Sequence, residues 1–300
     1  MKLTPQQVEQ FQRDNFLIAE DVLSESDLAP MIVGISQWLD TRARQLYAEG
    51  KIDDLCESQP FDRRFALLFG QCPQIDDGLD IMYMQCQAVY EFLRNDNLMD
   101  AVESLVGPEI TCNPIQHLRA KVPAGLLQNS DGYSGVSVPW HQDAAVTWEE
   151  ADSSNIITCW IPLTDATRAN GCMQVIPRCA AMGYLEHDSM PKTHIKPGVM
   201  PQTQPVVAEC RKGGVIFMTK FTPHHSTNNV SDGIRWSLDL RYQPTGEPTG
   251  RPFWPAFVTH SGANPSSVHT DHADWCRQWD EALESSKGMK WHRTHHKNAY

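Results

Sequence analysis

Apolar positions recur at helical spacing in the first third of the chain and at strand spacing in the middle. Thr4-Pro5-Gln6-Gln7 predicts a helix start, with Thr4 as cap, Pro5 at the first helical position and Gln7 closing a capping box. Val8 and Phe11 then share a face. Phe16-Leu17-Ile18 reads as a short strand, and Ser24-Glu25-Ser26-Asp27 caps a second helix carrying Met31, Ile32, Ile35, Trp38 and Leu39 at helical spacing. A polar, poorly periodic bridge occupies 51–64, and a third helical region runs from about Asp80 to Leu105.

After Gly107-Pro108 the period shortens to that of strands, expected over 115–122, 136–145, 155–163, 173–176, 204–208, 214–218 and 235–242. The segment 126–135 reads as a loop, and 177–205, rich in Met, Pro, His and Lys, as a lid. Beyond Pro244, Gly and Pro interrupt the chain before a helix near 273–285 and a basic tail over 290–297. The expectation is one domain over 1–300: a mostly helical layer to about 106, a β core over about 107–245, and a C-terminal extension with a helix. The fold class is mainly β with packed helices (α+β), helices on an antiparallel core.

Composition narrows the function. The 25 Lys+Arg against 37 Asp+Glu leave a formal charge of −12, the wrong sign for a protein that neutralises phosphates, so no nucleic-acid partner is expected. The nine cysteines contain no CxxC pair, which fits neither a disulfide framework nor a zinc ribbon and suggests free thiols in a reducing cytoplasm. The N-terminus lacks the features of a secretory or transit signal, and no apolar run suits a membrane span.

The twelve histidines are the unusual feature of the composition. On a strand, His141 and Asp143 face the same way. With His224 they would form the two-histidine, one-carboxylate triad that suits Fe(II) and leaves coordination positions open. Adjacent strand residues face opposite ways, so only one of His224 and His225 can join; the offset to Ser226 and Arg235 favours His224. Arg235 follows across a turn marked by Asn229 to Gly233 and can bring a guanidinium fork for a carboxylate into the same cavity.

The pattern His-x-Asp, then His-x-Ser-x-x-Asn-x-Ser-x-x-x-Arg, resembles the phytanoyl-CoA dioxygenase family of Fe(II)- and 2-oxoglutarate-dependent oxygenases. The resemblance extends through Trp140-His141-Gln142-Asp143, Trp160-Ile161-Pro162-Leu163-Thr164-Asp165-Ala166, Asn170-Gly171-Cys172 and Ile176-Pro177, over residues 3 to 285. It departs after Ile176-Pro177, where members often carry Gly-Ser-His and this chain has Arg178-Cys179-Ala180, on the lid. It implies a double-stranded β-helix, or cupin-like jelly roll, with helices outside. It implies iron on His141, Asp143 and His224, and 2-oxoglutarate on Arg235 and Ser226, with Gln142 as a helper. Dioxygen is the remaining co-substrate, and succinate and CO2 are the co-products. Related halogenases carry Gly or Ala at the Asp143 position, so its carboxylate points to hydroxylation.

Substrate contacts are less determined. Trp140, Trp148 and Trp160 serve either as core filling or as pocket walls. Gln116, Arg119 and Lys121 lie where the family often places substrate or co-substrate contacts, with a solvated edge as the other reading. His292, His295 and His296 suggest either a surface metal site or a disordered polar tail. The expected partner is a small molecule, taken up by a monomer or homodimer. Two other functions are open, a non-catalytic cupin-like metal-binding protein and a zinc hydrolase.

Overall fold

The computed structural model describes residues 2–129, 138–189, 192–289 and 291–293. Seven helices are described: α1 (Pro5–Asp14), α2 (Glu25–Ala48), α3 (Phe61–Gln71), α4 (Ile81–Met84), α5 (Gln87–Phe92), α6 (Asp96–Val106) and α7 (His272–Ser285). Twelve strands accompany them: β1 (Phe16–Ala19), β2 (Glu109–Cys112), β3 (His117–Lys121), β4 (Ile157–Pro162), β5 (Met173–Val175), β6 (His187–Asp188), β7 (His194–Ile195), β8 (Val206–Ala208), β9 (Val215–Thr219), β10 (His224–Ser226), β11 (Arg235–Pro244) and β12 (Phe257–Ser261).

The helix starts follow their local chemistry. Thr4 Oγ1 accepts from Gln7 N at 3.3 Å while Thr4 N donates to Gln7 Oε1 at 2.9 Å, so α1 opens on a closed capping box. Ser24 and Asp27 repeat the device for α2. The polar bridge ends in a helix: Phe61, Phe65, Leu68 and Phe69 give α3 an apolar face that the Asp and Arg residues around them obscured. The third helical region divides into α4, α5 and α6, because Gln85 adopts φ 43° and Asn95 caps a new helix by accepting from Leu98 N.

Every named strand pairing is antiparallel. A seven-stranded sheet runs β1-β9-β4-β11-β2-β12 with β3 also on β11, a three-stranded sheet runs β10-β5-β8, and β6 pairs with β7. The chain is therefore a mixed α/β protein on antiparallel sheets. Strand β11 organises it by simple alternation. Trp236, Leu238, Leu240 and Tyr242 enter the core shared with the helices, where Trp236 lies 5.2 Å from the rings of both Phe61 and Phe65. Arg235 and Asp239 face the other way, into a cavity. A smaller apolar cluster that includes Phe16, Trp160, Met173, Val175, Ile216 and Met218 joins the two sheets.

Five strands escaped the periodicity: β2, β10 and β12, and the two-residue β6 and β7 inside the segment expected to be a lid. β2 and β12 are short and pair at the sheet's edge, β12 amid the Gly- and Pro-rich region. The strand expected over 136–145 begins outside the described residues, and its described part is not a strand. His141 makes a single bridge with His224, and Asp143–Ala145 is a 3₁₀ turn closed by Val146 N donating to Asp143 O at 3.0 Å. Pro139 lacks the N–H that a ladder would need. All nine cysteines are unpaired. Among the described residues no helix is long and apolar enough to cross a membrane.

Candidate iron and co-substrate centre

His141, Asp143 and His224 each point one ligand atom at a common point, and those atoms lie within 4.8 Å of one another. The backbone bridge sets this up: His141 N donates to His224 O, and His224 N to His141 O, each at 3.0 Å. The 3₁₀ turn then swings Asp143 round beneath both rings. Carbonyl oxygens orient the imidazoles: Pro139 O lies 2.9 Å from His141 Nδ1 and Thr222 O 2.9 Å from His224 Nδ1. That arrangement commits each Nδ1–H and leaves each Nε2 as a lone-pair donor, 3.9 Å from Asp143 Oδ1. Burial, reinforced by the neighbouring His224, holds the His141 ring neutral, its pKa pushed down to about 3.

Asp143 is held by two residues that no motif marked. Arg241 Nη2 donates to its Oδ1 at 2.7 Å, and Thr158 Oγ1 donates to Oδ2. Both Asp143 and Arg241 are almost fully buried. The guanidinium outweighs the cost of desolvation and keeps the carboxyl ionised far below its usual range. The signal for Arg241 was its spacing: it stands on the same face of β11 as Arg235 and Asp239.

Across the cavity, of about 190 Å³, stand Arg235, Lys121, Ser226 and Trp160. β3 pairs with β11 so that Lys121 lies directly opposite Arg235. Lys121 Nζ donates to Ser226 Oγ at 3.0 Å, and Arg235 Nη1 to Gly171 O at 3.0 Å. The Arg235 guanidinium sits 4.9 Å from the Trp160 ring centre, and its buried Nε has no hydrogen-bond partner among the described residues. Burial lowers Arg235 to about 10, and burial together with Arg235 lowers Lys121 to about 7. Two like charges opposed across a ladder destabilise it unless an anion lies between them. The donor set therefore fits a carboxylate beside a two-histidine, one-carboxylate metal.

The remaining candidates from the sequence find other places. Gln142 does not line the cavity, because its amide is used up by the backbone: Nε2 donates to Gly183 O at 2.9 Å and Phe221 O at 2.7 Å, and Oε1 accepts from Leu185 N at 2.8 Å. Gln116 is buried elsewhere, its amide donating to Arg241 O at 2.8 Å and accepting from Arg241 N at 3.1 Å. Trp140 stacks 4.2 Å from His225, and Trp148 packs 5.3 Å from Phe253; neither lines the cavity. His225 faces away from the centre, with Nε2 3.0 Å from Gln174 Oε1. Arg119 lines the cavity and is exposed. His292 Nδ1 contacts Thr193 Oγ1 at 3.2 Å, while His295 and His296 lie outside the described residues.

Fold, centre and relatives together define an oxidoreductase, a dioxygenase of the Fe(II)- and 2-oxoglutarate-dependent class. The chain belongs to the phytanoyl-CoA dioxygenase family, whose model matches residues 11–237. It is similar to an ectoine dioxygenase of Bordetella parapertussis, 20% identical over 286 residues that cover 89% of this chain and 82% of that protein. Among solved structures it resembles the non-heme monooxygenase ThoJ (TM-score 0.61, 19% identity, 93% of this chain and 98% of that one). It also resembles the epimerase SnoN in complex with Fe3+, alpha-ketoglutarate and nogalamycin RO (TM-score 0.55, 18% identity, 83% and 87%).

Proposed function

We propose that this protein hydroxylates an aliphatic C–H bond of a small molecule in the mouth of a double-stranded β-helix, with iron on His141, Asp143 and His224. One observation carries the reading: the buried Arg235 guanidinium, with Lys121 opposite and, among the described residues, no ion pair to an acidic side chain, shares a cavity with the triad. Arg235, Lys121 and Ser226 would hold the far carboxylate of 2-oxoglutarate in the same cavity as the triad. Bound iron, with 2-oxoglutarate and O2, supplies the oxidation: R–H, 2-oxoglutarate and O2 become R–OH, succinate and CO2.

The chain's own part is binding, orientation and exclusion of water. Trp160 lies against the Arg235 guanidinium and fixes its plane. Arg241 and Thr158 hold the two oxygens of the Asp143 carboxylate and fix its orientation, so that it would meet a metal on the triad already aligned. The intact carboxylate leaves no room for a halide ligand, which supports oxygen transfer to carbon. A hydrolase would have no use for the Arg235 site.

Adding Fe(II) and then 2-oxoglutarate under nitrogen should raise a weak visible chelate band, and admitting air should release succinate. Asp143→Ala should abolish turnover. Arg235→Leu should raise the 2-oxoglutarate KM at least about 30-fold, since losing a buried charged partner costs about 2–5 kcal/mol. Absence of both band and succinate from the wild type would leave a binding protein or a hydrolase instead.

A further inference from the structure

The inner half of the cavity accounts for most of its charges. Arg235, Lys121 and Ser226 face one another, and Arg241 holds both Asp143 and Asp239, the latter at 3.3 Å. Two charged lining residues remain, Asp76 and Arg119. Asp76 ends a 3₁₀ turn over Pro73–Asp76, and Arg119 stands on β3 two residues before Lys121, on the same face. Among the described residues, neither side chain makes a hydrogen bond or an ion pair.

Asp76 is half-buried, and partial burial without a partner is costly for a charged group. Burial pushes the Asp76 carboxyl up to about 7, and the field of Arg119 pulls only partly the other way. An acyl chain laid here would desolvate both groups and pair neither. An anionic substrate would meet the carboxylates of Asp76 and Asp239 as well as Arg119. A molecule carrying one charge of each sign matches both groups at once, while Leu79, Leu118 and Met173 offer apolar contact to the carbons between.

We propose that the outer cavity is a subsite for a zwitterionic small molecule, its cationic nitrogen on Asp76 and its carboxylate on Arg119. This rests on the oxygenase reading above, since it places the substrate's carbon skeleton between those anchors and the metal.

The test is anaerobic titration calorimetry of the Fe(II)- and 2-oxoglutarate-loaded protein with three matched sets: L-leucine, 4-methylpentanoate and isopentylamine; L-proline, cyclopentanecarboxylate and pyrrolidine; 6-aminohexanoate, hexanoate and hexylamine. In at least one set the zwitterion should bind about tenfold or more tighter than both singly charged analogues, a difference of about 1.4 kcal/mol. Asp76→Asn should erase its advantage over the carboxylate, and Arg119→Gln its advantage over the amine. Arg119 is exposed, so its variant keeps the test alive if the other fails to fold. The proposal is overturned if no zwitterion binds below about 10 mM, if a singly charged analogue binds as tightly, or if the preference survives both substitutions. The visible chelate band, read in the same samples, separates the two ideas: a band without zwitterion preference sinks only the subsite, and no band sinks the oxygenase reading.

Discussion

Lys121 is an ammonium held where an ammonium is poorly solvated. Its pKa, ordinarily 10.5, falls to about 7 through burial and the facing Arg235. Above pH 7 the free protein therefore loses that proton in part, and a carboxylate bound between the two cations would favour the charged form and restore it. Binding of 2-oxoglutarate to the iron-loaded protein should take up a fraction of a proton approaching one at pH 8 and almost none at pH 6. Calorimetry in two buffers of different ionisation enthalpy measures this directly. Lys121→Met should remove the uptake; a binding enthalpy independent of buffer in the wild type would contradict the assignment. At this scale His141, Asp143, His224 and Arg235 stood out in the sequence, because ligand chemistry fixes residue type and spacing. Lys121 was visible only as a basic side chain near the site. Its role depends on the β3–β11 register, which pairs it with Arg235 across more than a hundred residues of sequence.

Among the elements, β11 was the most readable, since its period of two separates Trp236, Leu238, Leu240 and Tyr242 from Arg235 and Asp239 over its whole length. The turn at Asp143–Ala145 was not, because alternation assigns a face but cannot detect the point where a strand ends. Gln142 shows the consequence. Gln142 keeps an extended backbone just before the turn, and its amide ties three backbone groups together, two of them at Gly183 and Leu185. Gln142 N also donates to His187 Nε2 at 3.0 Å, and Ile195 N to Trp140 O at 2.8 Å, so β6 and β7 are fastened to the stretch that carries His141 and Asp143. Each buried backbone group left unpaired costs about 1–3 kcal/mol. Gln142→Leu should therefore speed amide exchange across 183–189 and 192–195 by at least about tenfold while the 2-oxoglutarate KM stays within about twofold. A tenfold rise in KM with unchanged exchange would restore Gln142 to the co-substrate site.

Across the whole molecule, the centre lies where the two sheets meet. His224 belongs to the three-stranded sheet, while Asp143 is held by Arg241 on β11 and Thr158 on β4 of the seven-stranded one. The buried Asp143 is held by Arg241, and the His141 and His224 ring centres lie 4.2 Å apart beside it. A divalent ion would join both sheets through one point, and a ligand that binds only the folded state adds RT ln(1 + [L]/Kd) to stability, about 2.7 kcal/mol at a hundredfold excess over Kd. For a chain of this size each kcal/mol is worth about 2–4 °C in Tm. Anaerobic Fe(II) at that excess should thus raise the Tm by roughly 5–11 °C, and a chelator should reverse the gain. His224→Ala should abolish most of the shift. His225→Ala should keep it, because that ring faces Gln174 and Trp140 on the far side of β10. If the two variants lost the shift equally, the ion would have to be held by some other set of ligands and the coupling of the sheets through it would fail.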